Sequence, residues 1–271
     1  MASPYGVKTL IKRTFAGRFT LARLTRRPVV GRLVHHLLFR DDDIVYLPRD
    51  TVVPVRRPLD PPQDLVLPSQ VLESLILRAR HHWIMNFCIC RESAGCRHYP
   101  VDLGCLFMGA AAMGINPSWG RPVGRQEALD HARACRERGL VHLVGRNRLD
   151  AVWLNVRPVH RLLTVCHCCP CCCLWRILPR VAPDIGRKVA RLPGVRMAVT
   201  QRCNGCGACA RSVCFVDAIQ VQDGRAVIGA QCRACGRCAE VCPRKAIELQ
   251  VTEPAYLGRS LERILGVVDL T

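Results

Sequence analysis

The sequence predicts an α+β fold in which a larger mixed α/β, cysteine-rich domain precedes a small C-terminal domain of short strands. Apolar residues recur at helical spacing from Val71 to Ile76 and again within residues 126–138, which predicts two amphipathic helices. The segment 140–154 is strand-like and contains Trp153, which we expect in the core. Residues 222–225, Gln-Asp-Gly-Arg, predict a hairpin turn between two short strands.

Composition divides the chain into four parts. A basic segment covers residues 1–66, and a cysteine-rich domain covers residues 67–197. Its last part, with Pro179, Pro183 and Pro193, predicts a connector that contains a short helix. A second cysteine domain follows at 198–252, and residues 253–271 predict a terminal helix.

Cysteine usage indicates metal ligation. The chain has 19 cysteines among 271 residues, yet it is too long to need disulfides in place of a core. No run approaches the roughly 18 apolar residues of a membrane-spanning helix. Reduced thiols then predict a cytoplasmic protein, with peripheral membrane contact as an option.

Two cysteine runs near the C-terminus have the spacing of iron–sulfur ligands. They are Cys203-x2-Cys206-x2-Cys209-x4-Cys214 and Cys232-x2-Cys235-x2-Cys238-x3-Cys242. A cubane takes three thiolates from one tight loop and a fourth from the other run. We therefore expect one [4Fe-4S] cluster on Cys203, Cys206, Cys209 and Cys242, and a second on Cys232, Cys235, Cys238 and Cys214.

This segment resembles the bacterial-type two-cluster ferredoxin domain over about a fifth of the chain. Two residues depart from that pattern: one extra residue precedes Cys214, and Phe215 stands where the family usually has proline. Both departures concern the surroundings of the second cluster. The competing hypothesis is a zinc module, since zinc also takes four thiolates from paired C-x2-C motifs.

Ten further cysteines lie upstream in two groups. The first group is Cys88, Cys90, Cys96 and Cys105, and the second is Cys166, Cys168, Cys169, Cys171, Cys172 and Cys173. Such dense thiols oxidise readily unless metal saturates them, so we expect one or two further iron–sulfur clusters here.

The division of these ten ligands stays open. Each group can form its own site, or the two groups can mix. If the run 166–173 is extended, Cys169, Cys171 and Cys173 face one way, and Cys168 and Cys172 the other. His98 and His167 are expected to be polar neighbours rather than ligands, and Cys135 a small buried apolar residue.

The middle region also resembles a little-characterised group of iron–sulfur proteins. The matching elements are C-x-C-R to G-C-L-F-x-G at 88–109, Gly-Leu-Val-His at 139–142 and the cysteine run at 166–173. This resemblance spans about two thirds of the chain and implies one redox module. It implies no settled function.

The chain carries a formal charge of +19, with 12 of its 40 Lys and Arg residues in the first 57 positions. Val7, Leu10, Ile11 and Phe15 recur at helical spacing among these bases, and a second helix-like run covers 29–39. Such a segment can dock an acidic face of a redox partner, lie on an anionic membrane, or wrap the protein's own body. Charge alone is weak evidence for nucleic-acid binding.

The leading hypothesis is a protein or subunit that carries single electrons between a donor and a larger oxidoreductase. One alternative is a catalytic reductase that uses an unusual cluster held by the cysteines of 88–105 and 166–173. The other is an iron–sulfur protein that binds nucleic acid. The sequence has no dinucleotide fingerprint, phosphate loop or catalytic triad spacing.

Overall fold

The computed structural model describes residues 4–50, 67–253 and 255–271, and the fold is α+β. Part of the basic segment, residues 51–66, lies outside the described residues. Seven strands form one sheet in the order β4-β2-β3-β6-β5-β1-β7, antiparallel except for the β1–β7 pair. Their bounds are β1 Asp43–Tyr46, β2 His82–Met85, β3 Leu106–Met108, β4 Gly120–Val123, β5 Val141–Arg146, β6 Leu163–Cys168 and β7 Val189–Arg191.

Helices cover both faces of this sheet. Their bounds are α1 Pro4–Thr14, α2 Arg18–Leu24, α3 Pro28–Val34, α4 Ser69–Arg78, α5 Ile89–Ser93, α6 Arg125–Glu137, α7 Arg148–Leu154, α8 Pro183–Gly186, α9 Arg237–Glu240 and α10 Tyr256–Leu265. The core on one face includes side chains of α4, α6 and α10. The other face packs against the N-terminal helices, α7 and residues 174–185. The helices predicted near Val71, at 126–138 and at the C-terminus are confirmed.

The strand-like prediction for 140–154 is correct only for its first half. Strand β5 ends at Arg146, and α7 follows from Arg148. The side chain of buried Asp42 accepts a hydrogen bond from the backbone N–H of Arg148 at 2.7 Å, which satisfies one of the free donors at the helix start. Trp153 is half-buried on this helix, with its ring 5.4 Å from that of Trp119.

The segment 176–197 is more than a connector, because β7 extends the main sheet and β8 (Val195–Val199) begins within it. Strand β1, from the basic segment, lies between β5 and β7, and its residues Ile44, Val45 and Tyr46 are buried. Prolines flank these short strands rather than interrupt them. The composition of these segments therefore gives little indication that β1 and β7 pair within a sheet.

The C-terminal cysteine segment has two small antiparallel pairs. Strand β8 pairs with β11 (Ile247–Val251), and β9 (Ile219–Gln222) pairs with β10 (Arg225–Ile228). Asp223 and Gly224 both have positive φ, at 49° and 71°, as a two-residue type I′ turn requires. The predicted hairpin turn is confirmed.

Candidate metal centres

The two halves of the C-terminal segment repeat each other in backbone conformation. Gly205 and Ala234, each two residues after the first cysteine of its run, both have positive φ. Asp217 and Lys245, each three residues after the last cysteine of its run, also have positive φ. Gly207 and Gly236 form a third matching pair, each just before a short helix. A shared spacing of cysteines therefore produces a shared loop geometry.

Each half contributes three cysteines to one small cavity and one cysteine to the other. The first cavity, here the first terminal site, is lined by Cys203, Cys206, Cys209 and Cys242. The second cavity, the second terminal site, is lined by Cys214, Cys232, Cys235 and Cys238. The structure thus brings together both predicted sets of four thiols.

Backbone N–H groups point at several of these sulfurs. Ala218 donates to Cys214 and Ala246 donates to Cys242, both at 3.3 Å, from equivalent places in the two halves. The N–H of Ala226 donates to Cys203 at the same distance. Such donors stabilise a thiolate and help set the properties of any metal that it binds.

The two terminal sites differ in solvent access. Cys206 of the first site is exposed, and N–H donors, chiefly that of Ala226, lower the pKa of Cys203. Burial raises the pKa of Cys235 in the second site to about 12. Chemistry at the first site can therefore reach the surface, whereas none of the four cysteines of the second site is exposed.

The two departures from the ferredoxin pattern lie beside the second terminal site, and one of them makes a contact with the main sheet. Ser212, in the run with the extra residue, takes a positive φ of 59°. Phe215 is buried and packs against Tyr46 of β1, with ring centroids 5.4 Å apart. The aromatic residue thus anchors the second terminal site to the main sheet.

The ten upstream cysteines mix rather than form one site per group. Four thiols converge in what we call the four-thiol group, and these could hold a metal ion: Cys96, Cys169, Cys171 and Cys172. The remaining six line a separate cavity, the six-thiol cavity: Cys88, Cys90, Cys105, Cys166, Cys168 and Cys173. Cys169 also borders this cavity.

The alternation expected along 166–173 is wrong beyond Cys168. Strand β6 ends at that residue, and the chain then turns. Cys172 therefore lies beside Cys171 and Cys169, while Cys168 and Cys173 lie beside each other. A strand periodicity cannot be extended through a turn.

The six-thiol cavity has a volume of about 460 Å³ and mostly apolar walls. Phe15, Val34 and Phe39 of the N-terminal helices and adjoining turns close one side of it. Asp150 and Asn147 also line it, and burial raises the pKa of Asp150 to about 8. Its size is in the range of small-molecule sites.

Arg91 is a buried cation between the thiol groups. Its guanidinium donates to the backbone oxygen of His167 at 2.8 Å and to that of Leu103. Burial lowers the pKa of Arg91, but the neighbouring thiols, led by Cys88 and Cys105, raise it overall. Sequence reasoning did not single out this residue, although its place directly after C-x-C was a signal.

A histidine cluster lies next to the four-thiol group. His131, Cys135 and His167 have ligand atoms within 4.8 Å of one another. The Nδ1 atoms of His142 and His167 are 2.8 Å apart, and burial lowers the pKa of His142 to about 3. Cys135 is fully buried, as expected. His98 is exposed and belongs to no such group among the described residues.

The N-terminal helices are held against the body. Lys8 and Lys12 both pair with Glu92, and the Lys8 ammonium lies 3.7 Å from the ring centroid of Phe87. Their outer side exposes apolar residues, including Leu10, Val29 and Leu33, beside arginines. No helix in 4–50, 67–253 or 255–271 is long and apolar enough to cross a lipid bilayer.

Comparison of the chain with protein-family models, with curated proteins and with solved structures returns no match. A function for this chain therefore has to be inferred from the chemistry of its thiol sites.

Proposed function

We propose that this chain is an iron–sulfur protein that carries single electrons between a donor and a larger oxidoreductase. The observation that carries the proposal is the pair of terminal sites, each lined by three cysteines of one run and the fourth cysteine of the other. This crossed set is the one that two cubanes require. The repeated backbone and the N–H donors to sulfur also support it.

The donor chemistry fits [4Fe-4S] clusters at both terminal sites. Bound clusters would supply one-electron redox chemistry there, and the protein would provide ligands, hydrogen bonds and solvent access. Exposed Cys206 makes the first site the expected point of exchange with a partner. The second site adjoins Tyr46 through Phe215, and Tyr46 shares an apolar cluster with Cys168 and Cys173 of the six-thiol cavity. The first terminal site, the second terminal site and the six-thiol cavity thus follow one another in that order through the molecule.

Iron and acid-labile sulfide content of anaerobically purified protein tests this proposal. The terminal sites predict about eight irons and eight sulfides, with more if the six-thiol cavity is also loaded. Two interacting electron paramagnetic resonance (EPR) signals should appear on reduction. Stoichiometric zinc without sulfide would contradict electron transfer.

A reductase is the second candidate, and the six-thiol cavity favours it. A volume of about 460 Å³ leaves room beside the thiols, and Asp150, with its raised pKa, could hold a proton at neutral pH. The test is a search for small molecules that perturb the EPR signals of the reduced protein. A perturbation that Asp150→Asn abolishes would favour catalysis.

The basic N-terminal helices support docking to an acidic face of the partner, with an anionic membrane as the alternative. Nucleic acid is a weaker candidate, because no recognition motif accompanies the charge. All nineteen cysteines are unpaired, which supports a reducing compartment such as the cytoplasm.

A further inference from the structure

The four-thiol group is more compact than a cluster site. All four sulfur atoms lie within 4.8 Å of one another. Cys171 Sγ is 3.7 Å from Cys96 Sγ, 3.6 Å from Cys169 Sγ and 3.5 Å from Cys172 Sγ. These separations are far longer than the roughly 2 Å of a disulfide bond.

Such separations match the edges of a single-ion coordination tetrahedron. A Zn–S bond is about 2.3 Å long, which places the four sulfurs of a regular tetrahedron about 3.8 Å apart. In a cubane each thiolate binds a different iron, so the iron–sulfide core keeps the thiolates further apart. The group is therefore sized for one ion and leaves no room for a cluster.

We propose that Cys96, Cys169, Cys171 and Cys172 bind one thiophilic divalent ion, zinc or iron, in a mononuclear tetrathiolate site. This inference does not depend on the proposed electron transfer. It assigns four of the ten upstream cysteines and leaves six, around the cavity, for a larger assembly. Four protein ligands close the coordination sphere and leave no position open for a substrate, so the site is not a catalytic one.

The backbone prepares these ligands. Three of them come from the turn that follows β6, where the N–H of Cys172 donates to Cys169 Sγ at 3.3 Å. The fourth, Cys96, follows α5, and the backbone N–H groups of His98 and Tyr99 lie beside its sulfur. Donors of this kind offset the charge of metal-bound thiolates.

The site would clamp the loop after α5 to the turn after β6. That loop also meets the C-terminal segment, because Arg237 lies 5.8 Å from the Tyr99 ring centroid and its guanidinium is 3.4 Å from the Tyr99 hydroxyl. Arg237 directly precedes Cys238 of the second terminal site. One bound ion would thus help to fix the position of the second terminal site relative to the upstream cysteine-rich domain.

Metal and sulfide analysis of the full chain tests the assignment, with Cys96→Ser and Cys171→Ser as variants. Both thiols are only half-buried, so the substitutions disturb little packing. Each variant should lose a single metal ion and no labile sulfide. Leu103→Ala, at a half-buried residue packed against the same apolar cluster and without a metal-binding side chain, is the control and should keep that ion. Loss of several irons together with sulfide, or no loss of metal, would overturn the proposal.

Spectroscopy of the wild-type chain tests it without any substitution. X-ray absorption at the zinc edge should show four sulfur neighbours near 2.3 Å and no neighbouring metal. If the ion is iron, the oxidised protein should show the EPR signal of an isolated high-spin ferric ion. Absence of both signatures would refute the mononuclear site, whereas the reduced EPR signals of the terminal sites would remain as the separate test of electron transfer.

Discussion

The Phe215 ring packs against the Tyr46 ring with centroids 5.4 Å apart and planes tilted by 51°. Tyr46 lies on a strand of the main sheet, and Phe215 directly follows a cysteine of the second terminal site. Burial, followed by the thiols of Cys173, Cys168 and Cys235, raises the pKa of Tyr46 well above its usual value. The aromatic pair is thus the junction between the six-thiol cavity and the second terminal site.

We expect Phe215→Ala to destabilise the protein by about 3–5 kcal/mol, since it empties a fully buried aromatic position. It should also loosen the C-terminal segment from the sheet, which limited trypsin digestion would detect as faster cleavage. Phe19→Ala, at a half-buried ring on α2, is the control and should cost less. Equal effects of the two substitutions on stability and cleavage would contradict the anchoring role.

Replacing Cys242 by Ser should impair the site of Cys203, Cys206 and Cys209, although Cys242 belongs to the other run. The reason is that Cys242 lines the first cavity, whereas Cys238, four residues earlier, lines the second. EPR of the reduced variants measures this, with Cys238→Ser as the matched control affecting the other signal. Both variants changing the same signal would disprove the crossed arrangement.

Gly205→Ala should be more destabilising than Gly95→Ala. Both glycines have positive φ, at 69° and 59°, so both substitutions strain the backbone by about 1 kcal/mol. A Cβ on Gly205 would also lie 2.3 Å from the backbone oxygen of Gly224, whereas a Cβ on Gly95 would meet no atom of the described residues within 4 Å apart from those of its chain neighbours. Denaturant midpoints measure the difference. Similar denaturant midpoints for the two variants would mean that the hairpin at Gly224 can shift to accommodate the added Cβ without loss of stability.

Stability should depend on the ionisation of Asp42. Burial raises the pKa of Asp42 from 3.8 to about 7, although the Arg148 N–H opposes this. The native chain therefore keeps a proton that the unfolded chain loses, so stability contributed by the protonated group declines as pH rises from about 4 to 7. The decline is at most about 1.4 kcal/mol per pH unit.

Asp42→Asn removes this titration, so its stability relative to the wild type should rise across the same pH window. Denaturant unfolding at pH 5, 6, 7 and 8 would measure the difference. Asp41→Asn, at the exposed neighbour, is the control and should follow the wild-type pH dependence. A constant difference between Asp42→Asn and wild type would show that Asp42 ionises normally in the native state.

Surface charge on the N-terminal helices should govern partner association. Deleting residues 1–57 is a poor test, because β1 lies inside the sheet and Phe15 and Phe39 close the six-thiol cavity. Arg13→Glu with Arg27→Glu changes exposed positions only. This variant should reduce electron delivery to an acidic partner and flatten its salt dependence, since steering is screened over about 8 Å at physiological ionic strength.

Arg80→Glu with Arg187→Glu, exposed positions outside these helices, provides the charge-matched control. Equal loss of rate in both double variants would indicate an effect of net charge rather than of this surface. Unchanged rates with reduced binding to anionic liposomes would favour the membrane alternative.

Local spacing was enough to predict the terminal sites. Cysteines three residues apart act within one loop, and the repeated Cys-x2-Cys-x2-Cys runs impose the same turns in both halves. Asp223 and Gly224 define their hairpin for the same reason. The helices near Val71 and at 126–138 were also predictable, because their apolar residues follow the helical period.

Contacts between distant segments decided the rest. Cys96 joins Cys171, 75 residues away, only because the loop after α5 and the turn after β6 meet in space. The short strands β1 and β7 became strands by pairing within the sheet, since three or four residues carry too little periodicity to be read alone. The sequence by itself therefore determined which thiols form the terminal sites, whereas the tertiary structure decided how the ten upstream thiols divide, because that division depends on strand pairing and on where β6 ends.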